Sequence, residues 1–350
     1  MNDRVNIAIL GGAHPHVHAW IEVAKMIPQM EIAAVWDRDE NRGSKLALEA
    51  SADFAIDLDI LLNRQDINAV AIASDVASHV ELVTAAARAN KHIMCEKPMA
   101  KTLEECDQII DAILKSGVIF YQIFPMRWDP VNQKIREIVK SGELGKISMI
   151  RKRHGHFYGL KWQQEDPGIW FTQAELAGAG AFLDEGIHAI DWMRWIFGEP
   201  VSVMAQIDTV GTNFKVDDEG VAIYRFEDRS MMVLHASWLD QAATNTTEIY
   251  GSEGVLIQSH TDGASTRGIS ETSHPLRIYW KKASGWSVYD LPIHFPRNQE
   301  AVVKPFIQCL LERTSPPVTM YDGRRALELV MAAYRSSITG QSISINQVTL

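Results

Sequence analysis

The sequence predicts an α/β domain of Rossmann type, a doubly wound parallel sheet, followed by an α+β domain whose mostly antiparallel sheet is covered by helices. Three observations predict it. From Val5 to Phe124, apolar strand-like runs alternate with helical patterns, as parallel pairing through crossovers requires. After Pro125 that alternation stops, and from Val201 onward strand-like runs are separated by turn residues and not by helices. Finally, the run Ile93-Met94-Cys95 breaks off at Glu96-Lys97-Pro98, which puts an acid and a base at the carboxyl end of a strand, where open parallel sheets hold their ligands. The expected division is residues 1–125 and 126–350.

Val5 to Leu10 reads as a buried strand ending at Gly11-Gly12, followed by a helical pattern that Pro28 stops. Glu31 to Trp36 is a second strand, closed by Asp37. A helix over Asn41 to Ala50, a short strand at Phe54 to Ile56 and a strong one at Ala69 to Ala73 come next. The helix Glu81 to Ala89 leads into the strand at Ile93. Thr102-Leu103-Glu104-Glu105 is a capping box, opening a helix to about Lys115 that Gly117 stops. Val118 to Phe124 is the last strand of this half.

Beyond Pro125 a helix is expected at Val131 to Lys140 and a strand at Ile147 to Lys152. An irregular aromatic-rich stretch, His154 to Phe171, precedes a strongly apolar helix over roughly Ala181 to Phe197, ended by Gly198 with Pro200 beyond. Strand-like runs follow at 201–207, 221–226, 231–238, 247–250, 276–280 and 287–291. Helices at about 299–312 and 323–339 finish the chain.

Composition bounds the function classes. A chain of 350 residues with 46% hydrophobic and 22% charged residues has room for two cores. A net charge of -10 and a pI near 5.6 argue against a nucleic-acid or anionic-membrane partner. Cys95, Cys106 and Cys309 have neither paired nor metal-ligand spacing, which predicts a reducing, cytoplasmic setting. No apolar run is long enough to span a bilayer, and no signal peptide is read.

The turn after the first strand, Gly11-Gly12-Ala13-His14-Pro15-His16, keeps the first glycine of G-x-G-x-x-G and loses the others. It is the expected seat of a dinucleotide pyrophosphate, at the start of the next helix. Asp37 has the spacing of a carboxylate that bonds the adenosine ribose. A carboxylate there repels a 2′-phosphate, so NAD is favoured over NADP, with Arg38 beside it softening the preference. Pro98 biases Lys97 toward an extended backbone, and a lysine desolvated at a strand end suits proton transfer. In Asp184-Glu185-Gly186-Ile187-His188, helical spacing puts Asp184 and His188 on one face, with Asp191 as a third polar member among apolar neighbours. A carboxylate and an imidazole on a mostly buried helix need a partner or a function. The clusters His14, His16, His18 and His154, His156 invite a metal reading. A hydrolase barrel, however, needs strand–helix alternation beyond Pro125, so no metal site is assigned.

Together these residues resemble the Gfo/Idh/MocA family, relatives of glucose–fructose oxidoreductase and inositol dehydrogenase. The resemblance rests on Cys95-Glu96-Lys97-Pro98, on Ser141 to Gly145, on the run from Gly178 through Asp184, His188, Asp191 and Gly198 to Pro200, and on Tyr321 to Gly340. It implies an NAD(P)-dependent oxidoreductase acting on a sugar, polyol or derivative. Lys97, Asp184 and His188 match the positions that meet the reacting hydroxyl. Glu96, Ser74 and His79 match cofactor-side positions, and Arg127, His156 and Trp170 are added as candidate substrate contacts. Ser74-Asp75 replaces the usual Thr-Pro, and Phe124 to Trp128 departs from an Asn-Arg-Arg-Phe-like sequence. Two other functions compete: a metal-dependent hydrolase built on His14, His16 and His18, and a nucleotide-binding sensor without turnover. Met231, Val233, Trp238, Tyr279 and Trp280 are expected to form an exposed apolar face, joining a homodimer or homotetramer through the second sheet.

Overall fold

A computed structural model of the chain describes residues 4–241, 246–259, 274–292 and 299–346. By its internal contacts the chain divides into two units. The first comprises residues 1–124, 175–178 and 298–327, and the second residues 125–174, 179–297 and 328–350.

In the first unit, β1 (Val5–Leu10), α1 (His16–Met26), β2 (Met30–Trp36), α2 (Glu40–Ala50), β3 (Asp53–Ala55), α3 (Leu58–Leu62), β4 (Ala69–Ile72), α4 (His79–Arg88), β5 (His92–Cys95), α5 (Leu103–Ser116) and β6 (Phe120–Gln122) succeed one another. All strands pair in parallel, in the order β3-β2-β1-β4-β5-β6. The order reverses at β1 and β4, the switch point of a doubly wound sheet. β1, β4 and β5 are buried on both faces, which is why they read as unbroken apolar runs. The expected strand 118–124 is shorter, Phe120–Gln122.

Thr102 caps α5 as the sequence expects, its hydroxyl accepting from Glu105 N at 3.2 Å. The reciprocal bond shifts by one residue, because Glu105 Oε2 accepts from Lys101 N at 2.9 Å. A helix drawn from the far end of the chain, Gln299–Glu312, packs against α1. Within this unit its Phe306 ring stacks on Tyr121, whose hydroxyl donates to Val302 O at 2.8 Å.

The second unit contains α6 (Pro130–Ser141), β7 (Ile147–Gly155), α7 (Tyr158–Glu165), the single turn α8 (Ala174–Ala177, shared between the units), α9 (Ala181–Asp184) and α10 (Gly186–Phe197). β8 (Ser202–Asp208), β9 (Glu219–Arg225), β10 (Met231–Ser237), β11 (Thr247–Gly251), β12 (Gly254–Gln258), β13 (Leu276–Trp280), β14 (Gly285–Tyr289) and β15 (Ile343–Ser344) complete a nine-stranded sheet with β7. Its order is β14-β13-β12-β11-β7-β10-β9-β8-β15. It is antiparallel except where β7 runs parallel to β10. β12 and β15 were not anticipated. The aromatic stretch after His154 is less irregular than expected: β7 runs on to Gly155, and α7 follows.

The apolar helix expected over 181–197 is two helices, with Glu185 (φ −96°, ψ −40°) at their joint. Asp217 explains the separate start. Its carboxylate accepts from Gly180 N at 2.9 Å and Phe182 N at 2.8 Å, so α9 begins on an anchor of its own. Gly186, a poor helix former, then opens α10. α10 lies on β7 and β10, and α9 on β9 and β10.

Of the five residues expected on an exposed face, Met231 is exposed, Val233, Tyr279 and Trp280 are half-buried, and one is misplaced. Trp238 is fully buried, packed with Phe171, Ala181 and Val216, because it follows β10 and turns toward the helices. Met204, Val221, Ile223, Met231, Trp286 and Val288 stay exposed on the sheet.

Candidate active site

In the first unit the glycine turn is as narrow as a dinucleotide seat requires. Gly11 has φ +76°, and a Cβ there would lie 2.7 Å from Ser74 Cβ. A Cβ on Gly12 would lie 2.0 Å from Leu46 Cδ1. Only glycine at position 11 lets β1 and the end of β4 close on the turn in this way. His14 N donates to Ala73 O at 2.9 Å, fixing the turn to the end of β4. Ala13 follows the two glycines, and α1 starts at His16, whose N donates to His14 Nδ1 at 3.3 Å while Val17 N donates to His14 O at 3.2 Å. The glycine cradle and the switch point fit a dinucleotide pyrophosphate.

Asp37, at the tip of β2, is buried, and both its oxygens are engaged. Oδ2 accepts from Gly12 N at 2.7 Å and Oδ1 from Asp39 N at 2.8 Å. Arg42, one turn into α2, grips the same carboxylate with two bonds of 2.7 Å. The sequence places Arg38 as the cation beside Asp37. Arg38 instead pairs with exposed Glu81 at 2.8 Å. Arg42 was passed over, though it stands only five residues after Asp37, in the first turn of α2.

Glu96 and Lys97 follow β5 directly and are buried, and the Lys97–Pro98 peptide is cis. Glu96 Oε1 lies 2.7 Å from His16 Nδ1 and 3.9 Å from His14 Nδ1, and Oε2 accepts from Lys97 N at 3.1 Å. Burial by itself would push this carboxyl up. The neighbouring His14, His16 and Lys97 outweigh it and hold Glu96 well below the usual carboxylate range. His79 is fully buried at the start of α4, its Nδ1 3.0 Å from Pro98 O. Burial holds its imidazole below its ordinary value. His18 stands apart, paired with Glu49 on the surface, so the three histidines expected as one cluster divide. His14 and His16 serve Glu96, and a three-histidine hydrolase site does not form.

In the second unit, period-two alternation along β7 turns Ile150, Lys152 and His154 toward α10, with His156 just beyond. Asp184, Glu185 and His188 meet them. His154 Nε2 lies 3.2 Å from Glu185 Oε2. His156 Nε2 lies 3.5 Å from Glu185 Oε1 and 4.0 Å from Asp184 Oδ2. The His188 and His154 rings meet edge to face, centroids 5.4 Å apart. Trp238 Nε1 donates to Asp184 Oδ2 at 3.1 Å and so aims that carboxylate. Trp170 stacks on Phe171 beside the same tryptophan cluster. Five ionisable groups, three imidazoles and two carboxylates, thus share one buried patch.

Of the expected substrate contacts, His156 and Trp170 belong to this neighbourhood. Arg127 is differently engaged, its guanidinium bonded to fully buried Asp191 at 2.8 and 2.5 Å. Asp191 is therefore a partner of Arg127. Glu185 and Lys152 were not singled out as site residues, and His154 only in the His154, His156 pair weighed for a metal. Their signals were the period-two alternation into His154 and an acid three residues before His188.

Residues 5–124 match the oxidoreductase family with an NAD-binding Rossmann fold, and residues 132–257 match the GFO/IDH/MocA C-terminal domain. Inositol 2-dehydrogenase of Salmonella typhimurium is 31% identical over an alignment covering 97% of this chain and 94% of that protein. The chain belongs to the GFO/IDH/MocA family. Myo-inositol 2-dehydrogenase of Thermotoga maritima is 26% identical, covering 98% of this chain and 99% of the relative. Among solved structures, levoglucosan dehydrogenase in complex with NADH and levoglucosan shares the fold, with a TM-score of 0.83 at 22% identity over 98% of this chain and all of that one. A family oxidoreductase with an NAD-binding domain is what the residues of both units describe, and the metal-hydrolase alternative finds no support. Among the described residues no helix is long and apolar enough to cross a membrane.

Proposed function

We propose that this enzyme transfers hydride between NAD and a secondary hydroxyl or keto group of a sugar, an inositol-like polyol or a sugar derivative. The observation that carries the reading is the buried patch of Asp184, His188 and His156 in the second unit, in a chain that matches polyol dehydrogenases along nearly its whole length. Polyols present adjacent hydroxyls, and a carboxylate with imidazoles offers matched acceptors and donors for them.

Bound NAD supplies the hydride acceptor, and the chain supplies binding, orientation and proton transfer. The glycine turn would hold the pyrophosphate, and Asp37 the adenosine ribose. Glu96 stays ionised under His16 and anchors the backbone of Lys97. In oxidation, Lys97 or His188 takes the hydroxyl proton, and in reduction the same group returns it. Asp184, aimed by Trp238, accepts a hydrogen bond from a substrate hydroxyl. Screening sugars, inositols and keto-sugars with NAD(H) and NADP(H) tests the proposal. Absorbance change at the nicotinamide band with a polyol or keto-sugar is expected, and none across the screen with folded, NAD-binding protein would refute it in favour of a sensor.

A further inference from the structure

We infer that Asp217, together with Tyr334, is a positioning residue for the substrate side of this enzyme, holding the single turn α9 that ends at Asp184. A helix of four residues cannot hold itself, because a first turn fixes several residues for very few bonds. The ladder of α9 begins with Asp184 N on Gly180 O at 3.0 Å and Glu185 N on Ala181 O at 2.9 Å. The amides before Asp184 have no partner within the turn and need one from elsewhere. Asp217 and Tyr334 supply it to all four, from Gly180 to Leu183.

Gly180 N donates to Asp217 Oδ1 at 2.9 Å, Phe182 N to Asp217 Oδ2 at 2.8 Å and Ala181 N to the Asp217 carbonyl at 2.8 Å. Leu183 N donates to the hydroxyl of Tyr334, on the helix Met320–Thr339, at 3.1 Å. That hydroxyl in turn donates to Asp217 Oδ1 at 2.8 Å. The approach is so close that a Cβ on Gly180 would lie 1.9 Å from Asp217 O, which only glycine avoids. The next residue along reaches Asp184 from its other side. Asp218 O accepts from Trp238 N at 2.9 Å, and Trp238 Nε1 is the donor to Asp184 Oδ2. Residues 217 and 218 thus fix both the backbone that carries Asp184 and the indole that aims it. The Asp218 side chain is spent on its own loop, accepting from Val210 N, Gly211 N and Thr212 N at 2.8, 3.0 and 2.7 Å. The grip on α9 falls to Asp217.

Losing a cap from a long helix frays one turn and leaves the rest in place. Here that turn is the whole of α9, and its last residue is the carboxylate proposed to meet a substrate hydroxyl. Asp217 acts through Asp184 and not on the substrate itself. For its effect on turnover the inference rests on the hydride-transfer reading; for its effect on Asp184 it rests on geometry alone. Asp217→Asn keeps the side chain's shape but turns one acceptor into a donor, so Gly180 N or Phe182 N is left facing another N–H. Tyr334→Phe removes the acceptor of Leu183 N and leaves the carboxylate in place. A displacement of about 1 Å in an orienting group costs about a hundredfold in rate, which sets the scale of the expected effect.

Indole N–H resonances of protein labelled with ¹⁵N-tryptophan read the Trp238–Asp184 bond directly, with Trp238 assigned from Trp238→Phe. Asp184→Ala gives the resonance of the broken bond. Asp217→Asn and Tyr334→Phe should each move the Trp238 signal toward that position, and should add nothing to it in an Asp184→Ala background. With a polyol or keto-sugar found active in the screen, both variants should lower kcat/KM by about tenfold to a hundredfold. The NADH dissociation constant, followed by tryptophan fluorescence, should stay at the parent value, since the glycine turn and Asp37 are untouched. Folded variants that melt lower but keep the parent resonance and the parent kcat/KM would make Asp217 a cap and nothing more, and would overturn the inference. So would an equal shift in the Asp184→Ala background, which would reach Trp238 through its own backbone. Should Asp217→Asn fail to fold, Tyr334→Phe carries the same comparison. If no sugar turns over, the polyol reading falls, and the resonance by itself decides whether Asp217 sets Asp184.

Discussion

Asp37 offers the sharpest test of how the cofactor's adenosine end is read. Asp37→Ala removes four hydrogen bonds, from Gly12 N, Asp39 N and twice from Arg42. They are not equal. The Arg42 side chain is 39% exposed, so its freed guanidinium returns to water and that pair contributes little, about 0–1 kcal/mol. Gly12 N is buried and loses its acceptor, which costs about 1–3 kcal/mol and dominates the stability change. For the cofactor, a carboxylate bonding the ribose hydroxyls is worth about 1.5–3 kcal/mol, roughly 10- to 150-fold in NAD affinity. Because Arg42 already occupies that carboxylate, ribose bonds must share or displace it, and the loss should fall near the tenfold end. The same substitution unmasks Arg42 as a partner for a 2′-phosphate, so NADP affinity should rise. The ratio of the two dissociation constants should therefore move by about tenfold or more toward NADP. Titrating NADH and NADPH into parent and Asp37→Ala protein by tryptophan fluorescence, with melting temperatures on the same samples, measures both effects. Arg42→Ala should move the ratio the other way. A folded Asp37→Ala protein with an unchanged ratio would refute the reasoning, as would a parent that binds NADPH at least as tightly as NADH.

Lys97→Met should lower kcat by about a hundredfold to ten-thousandfold while NADH affinity falls modestly, and near-parent turnover in folded protein would remove Lys97 from the mechanism. Glu96 has a depressed folded-state pKa, so its stabilising contribution is present above the ordinary carboxylate value of about 4.3 and is lost as pH falls below it. Glu96→Gln should therefore melt lower than the parent at neutral pH, with the gap closing toward pH 3; a gap independent of pH would contradict the ion-pair account. Met204, Val221, Ile223, Met231, Trp286 and Val288 leave the second sheet an apolar face, and a dimer or tetramer through it is expected at micromolar protein. Sedimentation should report it, and Ile223→Glu should shift the mass toward monomer.

The sequence by itself determined the local and periodic features. The order of strands and helices through Phe124 was legible because buried parallel strands are apolar without interruption. The end of α5 was legible because Gly117 takes φ +70°, a conformation that costs other residues more. The placing of Lys97 at a strand's end followed from Pro98, and the pairing of Asp184 with His188 in one neighbourhood followed from their spacing. Tertiary structure decided which partner each charged group takes, since a side chain's partner depends on elements far away in sequence. Arg127 meets Asp191 across 64 residues, and His16 meets Glu96 across 80. The break at Glu185 was likewise invisible locally. It depends on Asp217, whose carboxylate starts α9 from a loop more than thirty residues downstream. That break sets Glu185 facing His154, because burying a carboxylate is tolerable only where imidazoles or a cation converge on it.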